Sequence, residues 1–424
     1  MSKCYGGLCV FFLVVIFLAV SCMVSAAKVR LAFITPAGPM YGITAKDMAG
    51  EYMKRHPDIE VMVDSFPFDE YITRIAMDVA GGGGTYDVVW FDFKMLGGYV
   101  RSNYLLSLEN YLSKDPEFRA DVEEDFVPIQ LKTNTYEREL YGIPCYADST
   151  MMFYRKDVLA KAGLGKPKSY DDILEAAPKI HNPPKMYAIG GHYQRFWAGD
   201  AWFAILWPAG GEIWDENYVP HLDSPAALKA ARLFEKLVKW APREALNWGE
   251  GDVNDAMGSA GIIAIAPSTW SSTVAADPKT FKFAPVIGVS PSPGVDGVIE
   301  GASSLGGFAL GIGKFSPHQD EAWKFIKWFT ARENQEMYLN FGAHPARISI
   351  LTSPVAKDPA FPVLVEAMKR AGARPNIPEW ATAEHIIGVE LDKIITEEKT
   401  PEEALHDMNK AVYDVLKETG RIKE

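Results

Sequence analysis

Short apolar segments alternate with segments of helical spacing between residues 29 and 91, and this alternation constrains the fold more than any other feature of the chain. The apolar segments, residues 29–34, 59–63 and 86–91, have the length and the β-branched and aromatic content of buried strands. Helical spacing occupies residues 43–55 and 71–80 between them. Strands separated by helices pair in parallel with both faces covered, so the sequence predicts an α/β fold with mainly parallel sheets.

A second α/β unit begins after Tyr141-Gly142-Ile143-Pro144. Its predicted strands are residues 151–154, 261–266 and 307–312, and its predicted helices are residues 157–162, 171–180, 224–240 and 321–341. Residues 284–301 are rich in proline and glycine and are predicted to form a loop. A chain of 424 residues suits two or three domain-sized cores. Because no low-complexity linker separates the two units, we expect closely joined lobes.

The first 26 residues have the order of a secretory signal peptide. Lys3 gives a positive start, residues 8–20 are continuously apolar, and Val24-Ser25-Ala26 provides small residues for cleavage. The apolar run is shorter than the roughly 20 residues that span a bilayer, and an uncleaved anchor is the alternative. Cys22 lies in a context that loosely resembles a bacterial lipoprotein box. We therefore expect a periplasmic or extracytoplasmic protein, with a lipid anchor at Cys22 as a second hypothesis.

The positions of the cysteines bear on how the fold is held together. Cleavage after Ala26 would remove every cysteine except Cys145. A single cysteine cannot form an internal disulfide, even in a compartment that permits one. Cys145 is interpreted as a small buried apolar residue, with a nucleophile as the alternative. The mature chain is therefore expected to depend on the packing of its core.

Charge and missing motifs exclude several classes of function. The formal net charge of −12 repels nucleic acid. The histidines are scattered without an HExxH pattern, and GxSxG does not occur. The glycines at 81–84 precede a strand and match no phosphate-loop pattern, so they are interpreted as a helix stop. We predict no metal, no cofactor and no catalysis.

Aromatic residues concentrate between residues 193 and 218, interleaved with polar ones. The aromatic residues are Tyr193, Phe196, Trp197, Trp202, Phe203, Trp207, Trp214 and Tyr218. Sugars present flat C–H faces and a rim of hydroxyl groups, which aromatic rings and charged hydrogen-bonding groups complement in an apolar cleft. The alternative is that these rings belong to the core. We expect at least one of them to line a cleft.

Several short motifs, in order along the chain, resemble those of the bacterial extracellular solute-binding proteins of the sugar-binding family. They are Tyr141-Gly142-Ile143-Pro144 with residues 152–159, Ala209-Gly210-Gly211-Glu212, residues 261–265 up to Trp270, Leu305-Gly306-Gly307-Phe308, residues 322–326, and residues 374–378. Each motif is weak alone. Their order, their spread over nearly the whole mature chain and the preceding signal peptide make the resemblance specific.

The resemblance implies a two-lobed periplasmic-binding-protein fold of type II with the ligand between the lobes. Chain order then suggests residues 28–141 with 303–343 as lobe I, and residues 142–302 with 344–424 as lobe II. The implied function is a monomeric receptor that binds a sugar, polyol or oligosaccharide and delivers it to the permease subunits of an ABC importer. The implied mechanism is closure of the lobes without chemistry.

The resemblance also implies where the ligand-binding residues lie, because loops after strand ends line the cleft of open α/β sheets. The candidates are Pro36, Tyr41, Phe66, Asp92, Tyr146, Asp148, Trp197, Trp270, Arg347 and Trp380. Trp270 matches the family's ligand-stacking tryptophan. Two rival functions remain open at this point: a secreted carbohydrate-active enzyme, and a receptor for a non-sugar anion held by Arg195, Arg347 or Arg374.

Overall fold

The computed structural model describes residues 28–195, 197–270, 273–297 and 301–423, so the predicted signal peptide and Cys22 lie outside the described residues. The strands are Val29–Pro36 (β1), Ile59–Phe66 (β2), Val88–Asp92 (β3), Leu105–Leu106 (β4), Thr135–Tyr136 (β5), Glu139–Leu140 (β6), Ile143–Arg155 (β7), Tyr187–Ile189 (β8), Ile263–Trp270 (β9), Ile287–Pro291 (β10) and Leu305–Gly313 (β11). All but β5 and β6 belong to one sheet.

Helices separate most of these strands along the chain, and further helices follow the last strand. They are Thr44–Arg55 (α1), Phe68–Ala80 (α2), Leu96–Arg101 (α3), Glu109–Leu112 (α4), Pro116–Asp125 (α5), Pro128–Thr133 (α6), Lys156–Lys161 (α7), Tyr170–Ile180 (α8), Ala198–Leu206 (α9), Pro225–Val238 (α10), Glu250–Asn254 (α11), Gln319–Thr330 (α12), Arg332–Asn340 (α13), Ile348–Leu351 (α14), Ala360–Lys369 (α15), Trp380–Ile395 (α16) and Pro401–Glu418 (α17). Within the described ranges, none of them has both the length and the apolar character needed to cross a bilayer.

Strand β7 joins the two halves of the sheet. The main strand order is β2-β1-β3-β11-β7-β9-β8. β1 pairs in parallel with β2 and β3, whereas β11 runs antiparallel to both β3 and β7. Residues 143–149 of β7 pair with β11, and its later residues pair with β9 and β10. One continuous strand therefore belongs to both halves.

The predicted α/β alternation near the N-terminus is confirmed, and burial explains it. β3 is buried along its whole length and lies between β1 and β11 in the sheet. Helix α1 directs Ala45, Met48, Ala49 and Tyr52 inward at helical spacing. Gly81 ends helix α2, and Gly82–Gly84 follow with positive φ angles that glycine adopts without strain. The glycine run is thus a helix stop.

The apolar core consists mainly of two large clusters. One contains residues of β1, β3, α1 and α12, and the other contains residues of α8, α9, α10, α16 and α17. A smaller cluster includes residues of β7, β9 and α15. The assignment of residues to two lobes stays a prediction.

Two predicted elements differ from the structure. Residues 284–301, predicted as a loop, contain strand β10, whose short Ile-Gly-Val-Ser segment pairs with β7 although proline and glycine surround it. The predicted helix at 321–341 is two helices, α12 and α13, because Ala331 between them has extended backbone angles. Both differences depend on contacts or local angles that residue periodicity does not reveal.

Cys145 is fully buried in β7, as expected for a small apolar residue. Its Sγ lies 3.4 Å from the carbonyl oxygen of Phe308, to which it donates. Burial raises the pKa of the thiol well above its usual value, so the reactive thiolate is disfavoured.

Candidate ligand-binding cleft

Loops at the ends of several strands enclose a cavity of about 150 Å³. Its walls come from the end of β1, the end of β3, the middle of β7, the end of β9, the start of β11 and the start of α11. The lining residues are Pro36, Ala37, Tyr41, Phe68, Asp92, Lys94, Asp148, Trp197, Glu250, Trp270, Gly306, Gly307, Phe308 and Arg374. A cavity outside the carboxyl ends of strands is where open α/β sheets bind their ligands.

Glycine at position 306 makes room for the deepest aromatic ring of the cavity. A Cβ atom on Gly306 would lie 2.5 Å from Cζ3 of Trp270. Gly307, beside it, has a φ of +117°, which side chains rarely adopt. The two glycines therefore let β11 approach β7 and Trp270 closely.

Two cations at the bottom of the cavity are held by carboxylates behind its wall. Lys94 Nζ lies 3.0 and 3.1 Å from the carboxylate oxygens of Glu384. Arg374 Nη1 lies 3.1 Å from Oδ1 of Asp200 and 3.5 Å from Oε1 of Glu384. Burial by itself would lower the pKa of Arg374, but the carboxylates of Asp200, Asp92 and Glu384 raise it. The four groups therefore form a buried ionic cluster.

Three further carboxyl groups line the cavity. Asp92 Oδ1 accepts a hydrogen bond from the backbone N–H of Lys94 at 3.2 Å, and Asp148 Oδ1 accepts one from the N–H of Ser149 at 2.8 Å. Burial, together with the nearby charge of Asp148, raises the pKa of Glu250 to about 8. At neutral pH Glu250 thus mainly carries a proton, while Asp92 and Asp148 offer acceptor oxygens.

Replacing Glu250 by glutamine is expected to flatten the pH dependence of stability. Between about pH 4.5 and 8 the folded protein holds a proton on Glu250 that the unfolded chain releases, so the free energy of unfolding falls as the pH rises through this window. Because the Glu250 side chain is partly exposed, solvent screening reduces the effect of its pKa shift on stability. We expect the free energy of unfolding to fall by on the order of 2 kcal/mol across this pH window. Urea unfolding at intervals from pH 5 to 8.5 measures it.

Other carboxyl groups with raised pKa values do not obscure the comparison between the wild-type protein and the Glu250→Gln variant. Burial also raises the pKa of Asp200 and of Asp358 to about 6. Both groups are present in the wild-type protein and in the Glu250→Gln variant, so the difference between the two curves isolates Glu250. Parallel curves for the two proteins would contradict the assigned environment of Glu250.

Aromatic rings form the rest of the wall. Trp270 is 4% exposed, and the guanidinium carbon of Arg374 lies 5.4 Å from its ring centre. Among the described residues, no group accepts a hydrogen bond from Trp270 Nε1. Phe68 and Trp197 lie at the partly exposed end of the cavity, and their ring centres are 6.2 Å apart. The cavity therefore combines flat rings with acceptor carboxylates.

The structure places six of the predicted site residues in the lining of this cavity. They are Pro36, Tyr41, Asp92, Asp148, Trp197 and Trp270. Of the aromatic group between residues 193 and 218, only Trp197 is part of this lining within the described chain. Tyr193, Trp202 and Phe203 are buried in the core, and Phe196 lies outside the described residues.

Four predicted site residues lie elsewhere. Tyr146 is fully buried beneath Tyr41, with their ring centres 5.1 Å apart. Arg347 is buried and forms ion pairs with Asp121 and Asp125, the second at 3.0 Å. These contacts hold both side chains away from the cavity.

Phe66 and Trp380 are the other two residues outside the lining. Phe66 ends β2 under the guanidinium group of Arg74, 4.3 Å from the ring centre. Trp380 is buried in the core and packs edge-on against Trp214 at 5.8 Å. A position at a strand end, or an aromatic side chain, is therefore not enough by itself to predict that a residue lines the cavity.

Several lining residues were not predicted. Some of them could have been found from the sequence. Phe68 and Lys94 each follow a strand end by two residues, and Ala37 follows the predicted site residue Pro36. Gly306–Phe308 belong to one of the motifs that resemble the family. Arg374 was considered only as an anion ligand, but it is paired with Asp200 and Glu384. Glu250 had no sequence signal, because it belongs to the short helix α11.

A cavity of this kind, walled by strand-end loops from both halves of one sheet, defines a protein that encloses a small solute. The chain belongs to the family of bacterial extracellular solute-binding proteins, whose sequence profile matches residues 41–336. Within the described residues, no cluster of three or more histidine, cysteine, aspartate or glutamate side chains is arranged to hold a metal ion.

The names of similar proteins give different ligands. A probable amino-acid ABC transporter periplasmic-binding protein of Sinorhizobium fredii is 26% identical over 86% of this chain and 84% of its own length. The maltotriose-binding protein of Pyrococcus abyssi is 25% identical over 84% of this chain and 75% of its own length. An ABC transporter solute-binding protein from Thermotoga lettingae, solved with α-D-tagatose, is 26% identical with a TM-score of 0.80, covering 92% of this chain and all of that one. The fold is that of the type II periplasmic binding proteins, as predicted.

Proposed function

We propose that this protein is the extracytoplasmic receptor of an ABC importer and that it binds a sugar or a polyol in the cavity. One observation carries the choice of ligand. The side chains of Asp92 and Asp148 line the same small cavity as the aromatic ring of Trp270. A hydroxyl group donates to a carboxylate and the C–H face of a sugar packs on an aromatic ring, so a polyhydroxylated ligand complements both kinds of side chain.

The charges of the cavity argue against the rival anion receptor. Lys94 and Arg374 are its only lining cations among the described residues, and both are engaged by Glu384 and Asp200. Asp92 and Asp148 add negative charge on the ligand side. An anionic ligand would have to approach these carboxylates without a spare cation, which costs Coulomb energy in a buried site.

The reading of this chain as a sugar receptor is supported by what its relatives are named for. Two of the three similar proteins described above are named for, or were solved with, a carbohydrate. The signal-peptide pattern of residues 1–26 agrees with an exported receptor, either free or lipid-anchored at Cys22. The partners in this proposal are the carbohydrate and the permease subunits in the membrane, without catalysis.

The proposed mechanism is closure of two lobes around the ligand. We take residues 28–141 with 303–343 as lobe I and residues 142–302 with 344–424 as lobe II. Strand β7 changes register against β9 between Met151 and Phe153, which makes it a natural place for bending. The ligand stabilises the closed state only by its greater affinity for that state.

A thermal-shift panel of sugars, polyols, amino acids and inorganic anions tests the proposal. A ligand at 100 times its dissociation constant adds about 2.7 kcal/mol to the free energy of unfolding, which corresponds to a rise in Tm of roughly 2 °C or more. We expect at least one carbohydrate or polyol to give such a rise. A rise with phosphate, a carboxylate or an amino acid and none with any carbohydrate would refute the sugar assignment.

A further inference from the structure

We infer that the cleft accepts a compact ligand, a single sugar ring or a linear alditol of similar size, and that the Phe68–Trp197 pair sets this limit. The inference rests on the proposed function, because it concerns which carbohydrates the same cavity can enclose. It is carried by the position of the pair, by the support behind each ring and by the volume of the cavity.

The two rings meet from opposite ends of the sheet. Phe68 begins helix α2, just after strand β2, and Trp197 precedes helix α9 in the segment that follows strand β8. β2 and β8 are the first and last strands of the main sheet order. Their rings nevertheless lie 6.2 Å apart, centre to centre, with 38° between their planes. The pair therefore links the two halves of the molecule across the cavity.

Each ring of the pair is held from behind by a buried aromatic side chain. Phe68 contacts Tyr71 at 5.9 Å between ring centres, and the Tyr71 hydroxyl donates a hydrogen bond to the carbonyl oxygen of Trp90. Trp197 packs edge-on against His192 at 6.0 Å, and His192 is fully buried. Burial lowers the pKa of His192 to about 4, so this support is neutral at physiological pH. The rings cannot swing aside without disturbing these neighbours.

The pair belongs to the more exposed part of the cavity wall. Its inner wall consists of buried side chains, among them Lys94, Arg374 and Trp270. Phe68 and Trp197 are only partly buried, and the other lining residues that are not fully buried are Ala37, Tyr41, Glu250 and Phe308. A ligand whose second sugar unit projects between Phe68 and Trp197 would have to separate their rings.

The volume agrees with a single-ring ligand. The cavity holds about 150 Å³, whereas pockets for drug-sized ligands span roughly 300–1,000 Å³. A cavity of about 150 Å³ is known to accommodate one benzene ring. A disaccharide or trisaccharide would exceed this space and would hold the two halves of the molecule apart, so it would not stabilise the closed state.

Isothermal titration calorimetry on the full mature protein tests the inference. The monomeric probes are D-glucose, D-galactose, D-mannose, D-tagatose, ribitol and D-mannitol, and the longer probes are maltose, cellobiose, lactose and maltotriose. We expect the tightest ligand to be a monomeric sugar or alditol, bound roughly tenfold or more tightly than any longer probe, in line with the energy of an aromatic pair and its buried area. A longer probe bound as tightly as the best monomer would overturn the inference and leave the proposed function standing.

Variants test whether Phe68 and Trp197 cause the preference. The double variant F68A/W197A is expected to reduce the ratio of monomer to longer-probe affinity at least threefold. F68L/W197L, which keeps apolar bulk, serves if the alanine variant melts well below the wild-type protein. F66A is the matched control, because Phe66 lies nearby at the end of β2 but outside the cavity lining, and it should keep the ratio. An unchanged ratio in both double variants would refute the role of the pair, and binding of no carbohydrate at all would refute the proposed function itself.

Discussion

Replacing Arg374 by leucine is expected to lower the free energy of unfolding by about 3–5 kcal/mol. The guanidinium group is 3% exposed and lies between Asp200 and Glu384. Its removal leaves the carboxylate of Asp200, which is 2% exposed, without its cation. An uncompensated buried charge is among the costliest changes that one substitution can make. Urea unfolding followed by circular dichroism measures the loss.

Two further variants separate the buried charge from the loss of a large side chain. The double variant D200N/R374L removes both charges of the closest ion pair, and we expect it to recover a substantial part of the stability lost in R374L. R370L replaces an arginine whose side chain is exposed, and we expect it to change stability by less than about 1 kcal/mol. If R374L costs no more than R370L, the buried ionic cluster does not stabilise the fold as described.

Replacing Trp270 by alanine is expected to weaken carbohydrate binding about 30-fold or more, which is about 2 kcal/mol. Trp270 provides the deepest aromatic surface of the cavity and the buried N–H donor for which the described residues offer no acceptor. The substitution also removes the ring that the guanidinium group of Arg374 contacts. Isothermal titration calorimetry with the best ligand of the thermal-shift panel measures the loss.

Controls for Trp270 need to separate binding from stability. Trp270→Phe keeps an aromatic face but removes the N–H, so we expect an affinity between those of the wild-type protein and Trp270→Ala. Trp240 is a partly buried tryptophan that packs on His181, outside the cavity. Trp240→Ala should lower the melting temperature and leave affinity within about twofold. Equal affinities of wild-type protein and Trp270→Ala would remove Trp270 from the binding site.

Much of the fold was predictable because its signals are local. The strands and helices before residue 92 were predictable from apolar spacing and breakers alone, because the buried strand β3 and the inward face of α1 are apolar in sequence. β10 was missed because its pairing with β7 joins positions far apart in the chain. The break at Ala331 was missed because apolar residues continue on both sides of it. Periodicity reports which face of an element is buried, and it does not report a partner strand or a single extended residue.

The candidate site was predictable where strand ends define it. Asp92 and Trp270 end their strands and line the cavity, as strand-end residues of this fold are expected to do. Arg347 was indistinguishable in sequence from a ligand residue, because its partners Asp121 and Asp125 lie more than 200 positions away. Glu250 was missed for the same reason, since only the folded chain brings it near Asp148.

The place of β11 in the sheet has a consequence for the order in which the protein is made and folded. β11 pairs with β3 on one side and β7 on the other, yet it is the last strand to be synthesised. The interval between the synthesis of β3 and that of β11 is about 10–40 s at roughly 5–20 residues per second. During this time β3 lacks a partner on one edge, and β7 lacks the strand that joins it to the first half of the sheet. We expect the two halves of the sheet to stay unjoined until β11 has been synthesised, so that the native sheet is completed only late in synthesis.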